Sequence, residues 1–144
     1  MKNNKFTIFG LLIVMAWLAG CATMGDVMKS KDKGTAEVYP VNADQAWEIC
    51  RMVFRWEGSD AIEEHRDQGF MLTSSGVNLA SWGAVMGAWV DPIDENNTKI
   101  TVVTKRRIQI NVATTLTETT FHKRCAQAVE IIKEGKPLPI EPPN

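Results

Sequence analysis

The sequence predicts an α+β domain: a two-layer sandwich of about five mainly antiparallel strands with two amphipathic helices on one face. Two segments, Asn42–Gly58 and Thr115–Gly135, repeat apolar residues with helical period and carry stop and start signals at both ends. Between them lie short, turn-bounded runs with the alternation of strands. The resulting order, strand, helix, four strands, helix, lacks the regular strand–helix alternation of a parallel sheet.

The elements follow in chain order. Thr35–Pro40 alternates weakly and reads as a first strand. Asn42 caps the first helix, with Gln45 three residues on as in a capping box. Ala46, Trp47, Cys50, Val53 and Phe54 then share one helical face, Ile49, Met52 and Trp56 widen it, and Gly58 ends it. Ala61–Arg66 and Phe70–Thr73 form a hairpin around Asp67-Gln68-Gly69, where Gly69 supplies a positive φ. Met71 faces away from Phe70 and Leu72.

Leu79–Val90 is free of charge and rich in Gly, Ala and Trp, and reads as helix or strand. Two interior glycines cost a helix roughly 1 kcal/mol each, which favours a strand. As a strand it places Trp82, Ala84, Met86, Ala88 and Val90 on one face and Gly83, Val85, Gly87 and Trp89 on the other. The glycines then let a helix or a ring approach the backbone closely. After Asp91-Pro92 and the loop Asp94-Glu95-Asn96-Asn97, Lys99–Lys105 alternates as the last strand. Thr115-Leu116-Thr117-Glu118 fits a capping box for the second helix. Its apolar face is Phe121, Cys125, Ala128, Val129 and Ile132. Lys133, Gly135 and Pro137 mark its end, and residues 137–144 form a proline-rich, extended tail.

Ahead of this domain, Met1–Lys5 is basic and Phe6–Trp17 is nearly all apolar. A basic start, an apolar run and small residues before a cut describe a secretory signal peptide. The fourteen residues from Phe6 to Ala19 fall short of the roughly 17–25 that a transmembrane helix needs.

Leu18-Ala19-Gly20-Cys21 at the end of that run resembles the lipobox of bacterial lipoproteins. The resemblance implies cleavage before Cys21, a diacylglyceryl thioether on its sulfur, and acylation, palmitate included, of the new amino terminus. Two or more chains anchor a protein stably where one does so marginally. Ala22 is not the Asp associated with inner-membrane retention, so the resemblance implies the inner leaflet of an outer membrane, facing the periplasm, in an organism with two membranes. The expected organisation is signal peptide 1–20, lipidated cysteine and flexible tether 21–34, α+β domain 35–136 and tail 137–144.

Cleavage leaves 124 residues, enough for one domain with a real core, and removes Lys2 and Lys5, so formal net charge moves from −1 to −3. That balance gives no electrostatic case for nucleic acid. Lys105-Arg106-Arg107 is the single basic run, read as a solvated strand end or a contact to anions or lipid headgroups.

With Cys21 consumed by lipid, Cys50 and Cys125 remain, each central on a helical face. In an oxidising compartment they are a candidate disulfide; two buried thiols are the other reading. Glu63 and His65 share a strand face, and Glu118 and His122 lie one helical turn apart; the two histidines would have to converge to make a metal or acid–base site. No zinc-ligand spacing, nucleophile elbow, dinucleotide fingerprint or P-loop occurs. No cofactor is implied beyond the covalent lipid. Trp82 and Trp89 are candidate partner contacts, since tryptophan is enriched at interface hot spots.

The expected function is therefore that of a lipid-anchored envelope lipoprotein. Its non-catalytic domain would bind or scaffold an envelope protein partner in envelope assembly or maintenance. The competing expectation is a periplasmic small-ligand or metal-binding protein, or an enzyme using His65 and His122.

Overall fold

The computed structural model describes residues 23–59, 61–74, 84–106 and 117–143. In chain order its elements are α1 (Met24–Met28), β1 (Thr35–Tyr39), α2 (Ala43–Trp56), β2 (Ala61–His65), β3 (Phe70–Ser74), β4 (Ala84–Pro92), β5 (Thr98–Arg106) and α3 (Glu118–Lys133). The strands form one antiparallel sheet in the order β1-β5-β4-β3-β2. With helices packed on it, the molecule is the α+β sandwich that the sequence predicts.

The layers follow from the alternation of side chains along each strand. Met71, Met86, Ala88, Val90, Ile100 and Val102 point to one face and join the main core. There they meet Ile49, Cys50, Val53 and Phe54 of α2 and Phe121, Cys125, Ala128 and Val129 of α3. Leu79–Val90 falls on the strand side of its ambiguity over the residues described, 84–90; residues 79–83 lie outside them.

The predicted local signals operate at most element ends. Asn42 Oδ1 accepts from the Gln45 N–H at 2.9 Å, and Gln45 Oε1 accepts from the Asn42 N–H at 3.0 Å. Gly69 closes the β2–β3 hairpin with φ +75°, a conformation that only glycine adopts without strain. The cap of α3 lies two residues later than expected: Thr117 accepts from the Thr120 N–H at 3.1 Å. Glu118 is then the first residue of the helix, and its carboxylate is used elsewhere.

Two segments outside the core sandwich differ from expectation. The tether expected before Thr35 contains α1, followed by a 3-10 turn over Lys31–Lys33. Thr23 and Asp26 form a capping box, a short Thr-x-x-Asp version of a recognisable signal. A five-residue helix cannot sustain itself in water. This one is held by packing: Val27 is 0% exposed and joins Phe70, Leu72, Val85, Trp89 and Val103 on the sheet face opposite the long helices. Gly87 makes room for it, because a Cβ there would come within 2.7 Å of Val27 Cγ1. The expected close approach at the β4 glycines is thus made by a helix, from an unforeseen direction. The tail is likewise tied down: Leu138 is buried, the Trp56 indole N–H donates to Pro139 O at 3.0 Å, and the Arg124 guanidinium donates to Pro143 O at 2.6 Å.

Candidate functional site

The polar residues singled out by sequence separate into two places at opposite edges of the sheet. At the β1 edge, α3 grips Thr35 with two side chains one turn apart. Glu118 Oε2 accepts from the Thr35 N–H at 3.0 Å and from its hydroxyl, while Oε1 accepts from the Thr104 N–H at 3.0 Å. The register pairs Thr35 with Val102, so Thr104 lies just past the end of β1, and the carboxylate substitutes for the missing strand. One turn on, the His122 Nε2–H donates to Thr35 O at 3.0 Å. Its Nδ1 lies 2.8 Å from the Tyr39 hydroxyl, which also has Glu37 Oε2 at 3.1 Å and the His122 carbonyl at 3.2 Å as acceptors. Burial is the main cause that pushes that hydroxyl far above its ordinary pKa. His122 is 3% exposed. This is a clasp between helix and edge strand; the Thr104 hydroxyl beside it is buried without a hydrogen-bond partner.

His65 lies at the other edge, on β2. Its ring stacks on Phe70 at 4.6 Å between centroids, and Glu63 Oε2 is 3.9 Å away. Four strand spacings of about 4.8 Å separate the edges, roughly 19 Å. The convergence that a site using His65 and His122 would require therefore does not occur. Among the described residues, no three of His, Cys, Asp and Glu gather as metal ligands. Next to His65, Arg51 makes a bidentate pair with Glu64, and Arg66 lies 5.1 Å from the Trp47 ring. Both contacts fasten α2 to the β2 edge.

Cys50 and Cys125 do meet in the core, as the helical faces require, and the structure holds both as free thiols. Burial, reinforced by the neighbouring Cys50 thiol, pushes the Cys125 thiol well above its ordinary pKa. Thiolate is the reactive form, so this environment opposes oxidation and alkylation while the fold is intact.

Trp89 is not a surface anchor. It is 4% exposed, packs with Phe70 at 6.4 Å, and lies under Lys31, whose Nζ is 5.9 Å from the ring centroid. Its outward-looking strand position is covered because α1 occupies that face. Trp82 and Cys21 lie outside the described residues. Of the basic run, Lys105 is near enough to α1 to act on Asp26. The Asp26 carboxyl is held below its usual range first by hydrogen bonds from Thr23, with Lys29 and Lys105 adding to them. Arg107 lies outside the described residues.

A hollow of about 310 Å³ lies between the end of α2 and the tail, lined by Met52, Arg55, Ser59 and Ile140. Sequence reasoning missed it because it depends on the tail folding back. Beside the tail, Glu57 pairs with Arg124 at 3.6 Å. Burial raises the Glu57 carboxyl above its ordinary pKa, and Arg124 offsets only part of that. A carboxyl raised on folding contributes stability that is present below its unfolded pKa and lost as pH rises through the folded value. Glu57→Gln is therefore expected to leave the melting temperature at pH 7 unchanged or slightly higher, despite the lost ion pair. It should also remove part of the gain in stability as pH falls toward 4.5, the value without burial. Thermal melts across that interval check this.

No family model matches the chain, and no curated protein matches it. Among solved structures it is similar to an uncharacterized protein from Bacillus thuringiensis, at 7% identity and a TM-score of 0.37, covering 68% of this chain and 95% of that one. It is also similar to the ZhuI aromatase/cyclase from Streptomyces sp. R1128, at 11% identity and a TM-score of 0.27, covering 70% and 84%. Likenesses this remote carry no functional argument.

Proposed function

We propose that this chain is a bacterial envelope lipoprotein, anchored through lipid on Cys21, whose α+β domain binds or scaffolds a protein partner at the membrane without catalysis. The observation that carries the reading is Leu18-Ala19-Gly20-Cys21 at the end of a basic-then-apolar leader. A non-catalytic role is supported by how the chemistry-bearing side chains are used. His122 and Glu118 hold β1, Glu64 holds α2, and the cysteines are core residues. Among the described residues, no helix is long and apolar enough to cross a membrane. Ala22 supports an outer-membrane destination on the periplasmic side.

Expression in a two-membrane bacterium with labelled palmitate tests the anchor. The wild-type chain should incorporate label, lose residues 1–20 and fractionate with membranes. Cys21→Ser should incorporate none and stay as the precursor. Equal labelling of the two chains would remove the reading.

A further inference from the structure

We infer that the domain is held directly against the bilayer, with the α1-bearing side of the sheet toward the lipid headgroups and the α2/α3 layer turned away. The inference rests on lipidation at Cys21 and adds the orientation and the membrane-facing surface. A flexible tether over Ala22–Gly34 would let the domain wander, since thirteen residues extend to roughly 45 Å. The structure shortens that leash at its root. Thr23 already caps α1, and only Ala22 separates it from the lipid-bearing residue, a span of at most about 7 Å.

From Thr23 onward the chain is pinned at successive points. Val27 fills the space above Gly87, Ser30 is buried, and its hydroxyl donates to Asp26 O at 2.8 Å. Lys31 pairs with Asp91 at 3.1 Å across the Trp89 ring. The acyl chains therefore emerge beside a docked element. The same segment carries the exposed Lys29 and Lys33 beside the exposed Asp26 and Asp32, with Lys105 close to Asp26, so the lysines outnumber the acids there by one. Ammonium groups at that position suit the phosphates of anionic phospholipids, whose attraction fades within a Debye length. Of the basic run, Lys105 thus lies near α1, in keeping with the headgroup contact its sequence suggests.

The test uses the full lipidated chain in vesicles of phosphatidylethanolamine and phosphatidylglycerol. Flotation comes first: a chain that does not float lacks its anchor, which overturns the lipoprotein reading and this inference together. On floating protein, energy transfer to an acceptor dye in the headgroup layer is measured from a donor at Gly25→Cys, an exposed α1 position with room for a side chain, and, separately, at Lys133→Cys. The expected result is several-fold stronger transfer from position 25 than from position 133. Inserting twenty Gly/Ser residues between Ala22 and Thr23 should make the two nearly equal without affecting flotation. Val27→Asp, which expels α1 from the sheet while leaving the main core intact, should do the same. Equal transfer from the two positions in the otherwise unaltered chain, or no response to the inserted linker, overturns the inference and leaves the lipid anchor standing.

Discussion

Phe121→Ala is expected to lower the free energy of unfolding by about 3–5 kcal/mol, the cost typical of deleting a buried aromatic ring. Phe121 is fully buried on the first turn of α3 that faces the sheet, and its ring lies 5.1 Å from that of Phe54 on α2. It packs the two long helices together within the main core. A single domain has about 5–15 kcal/mol in total, so the variant should be close to the edge of stability. Urea titration against the wild type reads the loss. Phe121→Leu should recover most of it. A loss under about 1 kcal/mol would mean the helix layer collapses into the cavity, unlike most packed cores.

Glu118→Ala is expected to cost about 2 kcal/mol, since one carboxylate accepts three hydrogen bonds there and water can replace part of them. Glu118→Gln separates geometry from charge. Both oxygens face N–H or O–H donors, so an amide must turn its NH2 toward one of them whichever way it flips. The Gln variant should therefore retain only part of the stability, although it is nearly isosteric. Amide exchange at Thr35 and Thr104 should accelerate in both variants. A Gln variant as stable as the wild type, with unchanged exchange at those two amides, would contradict the clasp.

Most of the sandwich was legible because its signals are local. The Asn42–Gln45 capping box, Gly69 in the hairpin and the split of Met71 from Phe70 and Leu72 each depend on residues within a few positions of one another. What escaped sequence reasoning is long-range. Met24, Val27 and Met28 do follow helical spacing, but so short a run gains its stability from Gly87, sixty positions away. In sequence His122 looks like half of a surface pair with Glu118 or a site residue, because nothing beside it shows that it is buried against Tyr39 and Thr35. Trp89 was placed on the correct strand face, but the cover over that face comes from the segment read as tether. The meeting of Cys50 and Cys125 needed both helical faces to pack on the same side of the sheet, which they do. The hollow near Ser59 needed the path of the tail.

The clasp at Thr35 also governs when the molecule can fold. Its partners stand 83 and 87 positions further along the chain, and β1 finds its neighbour only in β5. Folds dominated by such distant pairings close slowly, because the loop entropy is lost before the contacts form. A nascent chain can pair β5 with β4 and β1 earlier, but it can complete neither the clasp nor the helix layer until the segment around Glu118–Val129 has been made. Until then it remains open enough to be threaded. For a protein carried across a membrane as an extended polypeptide, as the proposed leader requires, this late closure is an advantage. The last of the described helices to be made acts as the latch that closes the clasp on β1.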